Sequence, residues 1–121
     1  MTFQNIETAR IVSEETYGAI PEFLWMRTPN NAVFRHQHNA KWFAALLLDT
    51  PKKRLGLPGA DTVGLLDLKC APLMTGSLVD GKGILPGYHM NKEHWITILL
   101  NGCVPWTQIQ ELIDLSYDIT Q

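Results

Sequence analysis

From Pro105 onward the chain carries its most regular pattern. Ile109, Leu112, Ile113, Ser116 and Tyr117 fall at i, i+3, i+4, i+7 and i+8. At 3.6 residues per turn these positions stack along one side of a helix, so the pattern predicts an amphipathic C-terminal helix with one buried face. Such a helix needs a surface to lie on, and the upstream sequence offers strands. Residues 32–37 (AVFRHQ) alternate, residues 41–49 (KWFAALLLD) form a continuous apolar run, and the polar break at 38–40 suits a tight turn. Residues 63–70 (VGLLDLKC) read as a third strand. The stretch between, TPKKRLGLPGADT at 50–62, is rich in Pro, Gly and basic residues and reads as a projecting hairpin tip.

Other elements are shorter. Ile6, Ala9, Val12 and Tyr17 recur near helical spacing, which predicts a helix over about 5–17 ended by Gly18. Residues 17–26 then form a loop leading into a short apolar segment, and TPNN at 28–31 is turn chemistry. Pro72 stands near a helix start and the glycines at 81 and 83 near its end, which suits a short middle helix, weakened by Gly76. Residues 85–90 and 94–102 are β-like around a bend at 91–93. With Asn91–Lys92 as a two-residue turn, Met90 would face Glu93, His89 would face His94, and Tyr88 would face Trp95. The whole is α+β: an antiparallel sheet of about five strands with N- and C-terminal helices and a short middle helix, in one domain over 1–121.

Charge is laid out unevenly. The net charge of −2 combines acidic ends with a middle, residues 27–92, where nine Lys/Arg face four Asp. Such asymmetry marks an anionic partner or merely places the acids on terminal helices. No apolar run nears the ~20 residues of a membrane span. The start also lacks the basic-then-apolar order of a signal peptide, so a cytoplasmic chain without membrane association is expected. Cys70 and Cys103 stand in no metal-binding spacing and are expected to be reduced and buried.

Residue spacing supports no particular chemistry. His36 and His38 would share one side of a strand, and His89 and His94 could meet across a hairpin, but neither pair has a third ligand nearby. Ser77 and Ser116 lack a nucleophile-elbow context, and GKGILPG lacks the ending of a phosphate-binding loop. No catalytic residue, cofactor or metal is therefore assigned, and the chain is not expected to be an enzyme. Arg35, Lys41, Lys52, Lys53, Arg54, Lys69 and Lys92 fall at strand ends or hairpin tips, beside aromatic residues, where they could bind phosphates.

GYHMNKEHW at 87–95, followed by LNG, a proline and IQELIDLSYDI, resembles the MmcQ/YjbR family. AKWFAAL at 40–46 and LDLKCAP at 66–72 resemble that family's lysine–aromatic strand motif and its Leu-Lys-Cys/Ser-x-Pro segment. The resemblance covers nearly the whole chain and departs in the long 50–62 loop, which is often shorter in the family. It implies a small α+β domain similar to secretion-chaperone-like folds, with a double-wing DNA-binding role proposed from structure and no enzymatic reaction. The matching positions are Lys41, Trp42, Lys69, Tyr88, His89, Asn91, Lys92, His94 and Trp95.

Two principal readings stand. In the first, the chain is a non-enzymatic domain for double-stranded DNA. Arg35, Lys41, Lys52, Lys53, Arg54, Lys69 and Lys92 supply the basic contacts, and Asn91 reaches a base edge. In the second it is a chaperone-like protein-interaction module, monomeric or a weak homodimer, with a large exposed apolar patch. A third places a small molecule or metal between His89 and His94 in a concave pocket.

Overall fold

The computed structural model describes residues 12–23 and 31–121. Five strands form one antiparallel sheet in the order β1-β2-β3-β5-β4. They are β1 (Ala32–Arg35), β2 (Trp42–Pro51), β3 (Thr62–Lys69), β4 (Ile84–Pro86) and β5 (Trp95–Leu99). Helix α1 (Pro72–Leu78) joins β3 to β4, and helix α2 (Trp106–Ile119) follows β5. Of the N-terminal helix expected over 5–17, residues 5–11 lie outside the described residues; Val12–Thr16 form a single π-helical turn. Residues 28–30 of the turn expected at 28–31 and the apolar segment at 24–26 also lie outside them.

The continuous apolar runs become β2 and β3 because these strands are covered on both faces, which removes the alternation of a half-solvated strand. On one face Ala44, Leu46, Leu66, Leu68, Ile96 and Ile98 are buried together with the α2 stripe of Ile109, Leu112 and Ile113. On the other, Leu47, Val63, Leu65 and Leu99 are buried under Leu55, Leu57, Leu85 and Tyr88, supplied by the hairpin tip, β4 and the loop after it. We call this second side the open face, since no α-helix among the described residues lies on it.

Two register skips shape β2. Phe34 pairs with Ala44 and Arg35 with Trp42, so Phe43 is left over between them. An unpaired extra residue bends the strand and re-aims a side chain. Phe43 turns to the helical side, where its ring meets Tyr17 and Tyr117 edge-on at 5.6 and 5.1 Å between centroids. The bulge also explains the serine in the apolar stripe. Fully buried Ser116 donates to the Phe43 carbonyl at 2.5 Å and accepts the Lys69 amide at 2.9 Å. One hydroxyl thus satisfies two backbone groups and pins α2 to the sheet. The second skip falls between Leu47 and Thr50.

One polar cluster sits inside the open face. Asp67 and Thr97 are cross-strand partners, both fully buried. The Thr97 hydroxyl donates to Asp67 Oδ1 at 2.5 Å and accepts the Tyr88 amide at 2.8 Å. Asp67 Oδ2 meets no donor among the described residues. Burial pushes the carboxyl up to about 7, against the opposing pull of the Thr97 hydrogen bond and the Lys92 charge. Close by, Gly87 packs so tightly on Trp95 that a Cβ there would lie 2.8 Å from the Trp95 Cβ.

Two outcomes are expected. The folded state holds the Asp67 proton more tightly than the unfolded chain, so this group's stabilising contribution is complete below pH ~4 and is lost as pH rises through ~7. In urea unfolding, the stability difference between the parent and Asp67→Asn should shift by on the order of 2–3 kcal/mol against the parent between pH 5 and pH 8. An unchanged pH dependence in the variant would contradict this assignment. Gly87→Ala should cost about 1–3 kcal/mol in the same assay, because either Trp95 or the strand must move.

Candidate functional site on the open face

The loop at 87–94 departs from the expected two-residue turn. The β4–β5 ladder ends at Pro86 opposite Ile96, with one further bond from the Gly87 amide to the Trp95 carbonyl at 3.2 Å. Beyond it the chain leaves the ladder. Asn91 Oδ1 accepts the amides of Glu93 at 2.9 Å and His94 at 3.3 Å, a local Asx turn, and Lys92 Nζ donates to the Gly87 carbonyl at 2.9 Å. His89 takes a left-handed φ of 61°. The register of Met90 with Glu93, His89 with His94 and Tyr88 with Trp95 therefore does not form. Tyr88 and His89 instead stand beside each other, ring centroids 4.0 Å apart, while the His94 carbonyl accepts the Cys70 amide at 2.7 Å.

Motif residues far apart in sequence meet here. The bulge at Phe43 leaves Trp42 on the open side, and alternation along β3 and β5 puts Lys69 and Trp95 there too. Lys69 Nζ lies 5.3 Å from the Trp95 ring centroid, a cation–π contact. Trp42 borders two hollows. The first, about 400 Å³, is lined by Trp42, Leu47, Tyr88, His89, Met90 and Arg54, with Asn31, Asp49, Thr50 and Pro51 completing it. The second, about 370 Å³, lies at the end of the sheet between Lys41, Trp42, Lys69, Trp95 and the C-terminal end of α2.

The eight basic and polar contact residues expected from sequence separate into groups. Lys41 and Lys69 stand together beside the second hollow. Lys53 and Arg54 are exposed on the 3₁₀ turn Lys52–Leu55 at the opposite end of the β2–β3 hairpin. The length of β2 lies between the two groups, although Trp42 and Arg54 reach one hollow. Lys52 is paired with Asp61 at 3.0 Å. Arg35 stands apart at the β1 edge, in an ion pair with Glu22. Asn91 and Lys92 are engaged in holding their own loop, although both remain exposed.

Five of the described acids lie on the other side. Glu111, Asp114 and Asp118 are exposed on α2, and Glu14 and Glu15 sit on the π-helical turn, whose neighbour Tyr17 donates to Asp114. Asp49, Asp61, Glu93 and the buried Asp67 lie on the open face or near its tips, Asp80 accepts the amides of the turn before β4, and Glu22 pairs with Arg35 at the β1 edge. Among the described residues no three His, Cys, Asp or Glu side chains are grouped as a metal site. Cys70 is buried as expected, but Cys103 is exposed because it falls in the turn after β5 rather than in a strand. His36 is buried and bonded to Thr120 Oγ1 at 2.7 Å, on the helical side.

Sequence reasoning passed over Asp67, Thr97, Asp49 and Asn31. For Asp67 a signal was available, a lone carboxylate within LLDL, since a charge in a buried strand demands a partner or a raised pKa.

The family model for YjbR matches residues 14–119. The chain is 43% identical over 108 residues to the protein YyaQ of Bacillus subtilis, covering 89% of this chain and 91% of that protein. A crystal structure of a Pseudomonas syringae protein superposes with a TM-score of 0.90 at 42% identity, covering 95% of this chain and 97% of that one. A crystal structure of a Deinococcus radiodurans protein does so with a TM-score of 0.71 at 25% identity, covering 94% and 76%. With its motif residues gathered on the open face and the match running through α2, the chain belongs to the YjbR family.

Proposed function

We propose that this chain is a non-enzymatic, cytoplasmic DNA-binding domain that lays its open face against the duplex backbone. The observation that carries this reading is the segregation of charge. Lys41 and Lys69 stand at one end of the open face and Lys53 and Arg54 at the other, while Glu111, Asp114 and Asp118 lie on α2 behind it. A molecule of net charge −2 can still present a positive side to a polyanion when its charges are separated this way. Lys41/Lys69 and Lys53/Arg54 stand at opposite ends of the β2–β3 hairpin. Both groups can then meet phosphates of one duplex. Those contacts position the protein and carry no sequence information. Lys52 and Arg35, each held by a carboxylate, contribute less than their charges suggest.

A second reading has its own observation. Leu73 is 94% exposed, and Met74, Leu115 and Ile119 extend that apolar strip across α1 and α2. It fits a protein-interaction module that uses the helical side rather than the open face.

Fluorescence anisotropy with a labelled duplex of about two helical turns separates the two. The DNA reading expects saturable binding whose log K falls with log salt at a slope of about −3 to −4, the value for four phosphate-bound cations. Lys41→Glu/Lys53→Glu should weaken it at least about tenfold, since it places repulsion at both ends. Absence of binding at low salt, or binding indifferent to that variant, would overturn the DNA reading and leave the apolar strip as the better lead.

A further inference from the structure

The larger hollow on the open face has features beyond the phosphate contact proposed for Arg54. Its volume of about 400 Å³ falls in the usual range for small-molecule sites. Trp42, Leu47, Tyr88 and Met90 give it apolar and aromatic walls. Two full charges of opposite sign, Asp49 and Arg54, also line it. Neither forms an ion pair within 4.0 Å with the other or with any described residue. Among the described residues the lining thus holds one cation and one anion that are not paired with each other, in an aromatic slot.

Each charge is placed by a deviation in the backbone. Asp49 falls in the β2 register skip between Leu47 and Thr50. Arg54 rides on the 3₁₀ turn closed by Gly56 in a left-handed conformation, φ 72°. Across the hollow, His89 holds its left-handed φ, an uncommon state for a residue with a Cβ. Such deviations collect where side chains are re-aimed toward a site.

We infer that this hollow binds a free aromatic amino acid as its zwitterion. The ring lies among Trp42, Tyr88 and Met90, the carboxylate meets the Arg54 guanidinium, and the ammonium meets Asp49. The charge balance selects this class. A phosphate or a simple carboxylic acid would gain Arg54 but face repulsion from Asp49, and an amine would meet the reverse. An uncharged ring would leave both groups without a partner. The inference needs no DNA, so it stands or falls separately from the proposal above.

The test is isothermal titration of the purified chain with L-phenylalanine, 3-phenylpropionate and phenethylamine. L-Phenylalanine should bind saturably with a Kd below about 1 mM, and each single-charge analogue should bind at least about tenfold more weakly. Arg54→Gln should erase the preference for L-phenylalanine over phenethylamine. Asp49→Asn should erase its preference over 3-phenylpropionate, which a purely structural role for either residue would not produce. Both positions are exposed, and thermal melts verify that each variant is folded. No saturation with L-phenylalanine up to about 10 mM would overturn the inference. Equal affinity for all three compounds, or variants that leave the preferences intact, would do so too.

Discussion

The hydrogen bond from Thr97 to the buried carboxyl of Asp67 organises the open face. The face is otherwise apolar, and a carboxyl inside it is costly unless it is bonded or protonated. Here it is both bonded and shifted toward neutrality. In return it fixes the Thr97 hydroxyl, whose free lone pair accepts the Tyr88 amide. The 87–94 loop is thereby tied to the sheet at its first residue past Gly87. Tyr88 and His89 stand where they do because of that tie, and the larger hollow takes its shape from a loop so held. A wholly apolar pair at 67 and 97 would pack as well but would leave the Tyr88 amide without its bond.

The structure has two working layers with different chemistry. The helical layer is locked by Ser116 across the Phe43 bulge and by the ring cluster of Tyr17, Phe43 and Tyr117. It carries Glu111, Asp114 and Asp118 on the outer side of α2. The open face carries aromatic rings, the cations at its ends, and a loop that follows the local chemistry of Gly87 and Asn91 rather than the ladder. Two register skips in β2 aim Phe43 into the helical layer and set Asp49 outside the ladder beside the larger hollow. Much of the site thus depends on departures from regular strand geometry.

Those departures mark the limit of what the sequence made legible. The α2 stripe, the strands around residues 32–35, 42–51 and 62–69, and the short α1 helix follow from local periodicity and turn residues, and all appear. The antiparallel five-strand sheet follows with them. The 87–94 loop does not. Asn91–Lys92 has the look of a two-residue turn, but the Asx bonds to residues 93 and 94 and the close seat of Gly87 on Trp95 open a longer excursion. Residue skips at 43 and between 47 and 50 leave no periodic trace, since both runs are apolar throughout. Asp49 and Arg54 are only five positions apart, and nothing in their spacing announces a shared hollow. The grouping of Lys41 with Lys69 is likewise tertiary, a product of the β2–β3 register.

The account rests on the open face being the side that meets a partner. Backbone amide NMR of the labelled chain, with and without a short DNA duplex at low salt, tests that most directly. The shifts should concentrate at Lys41, Trp42, Lys69, Lys53, Arg54 and the 87–94 loop, and should leave Glu111, Asp114 and Asp118 unmoved. Shifts confined to α1 and α2, or no shifts at all, would contradict it.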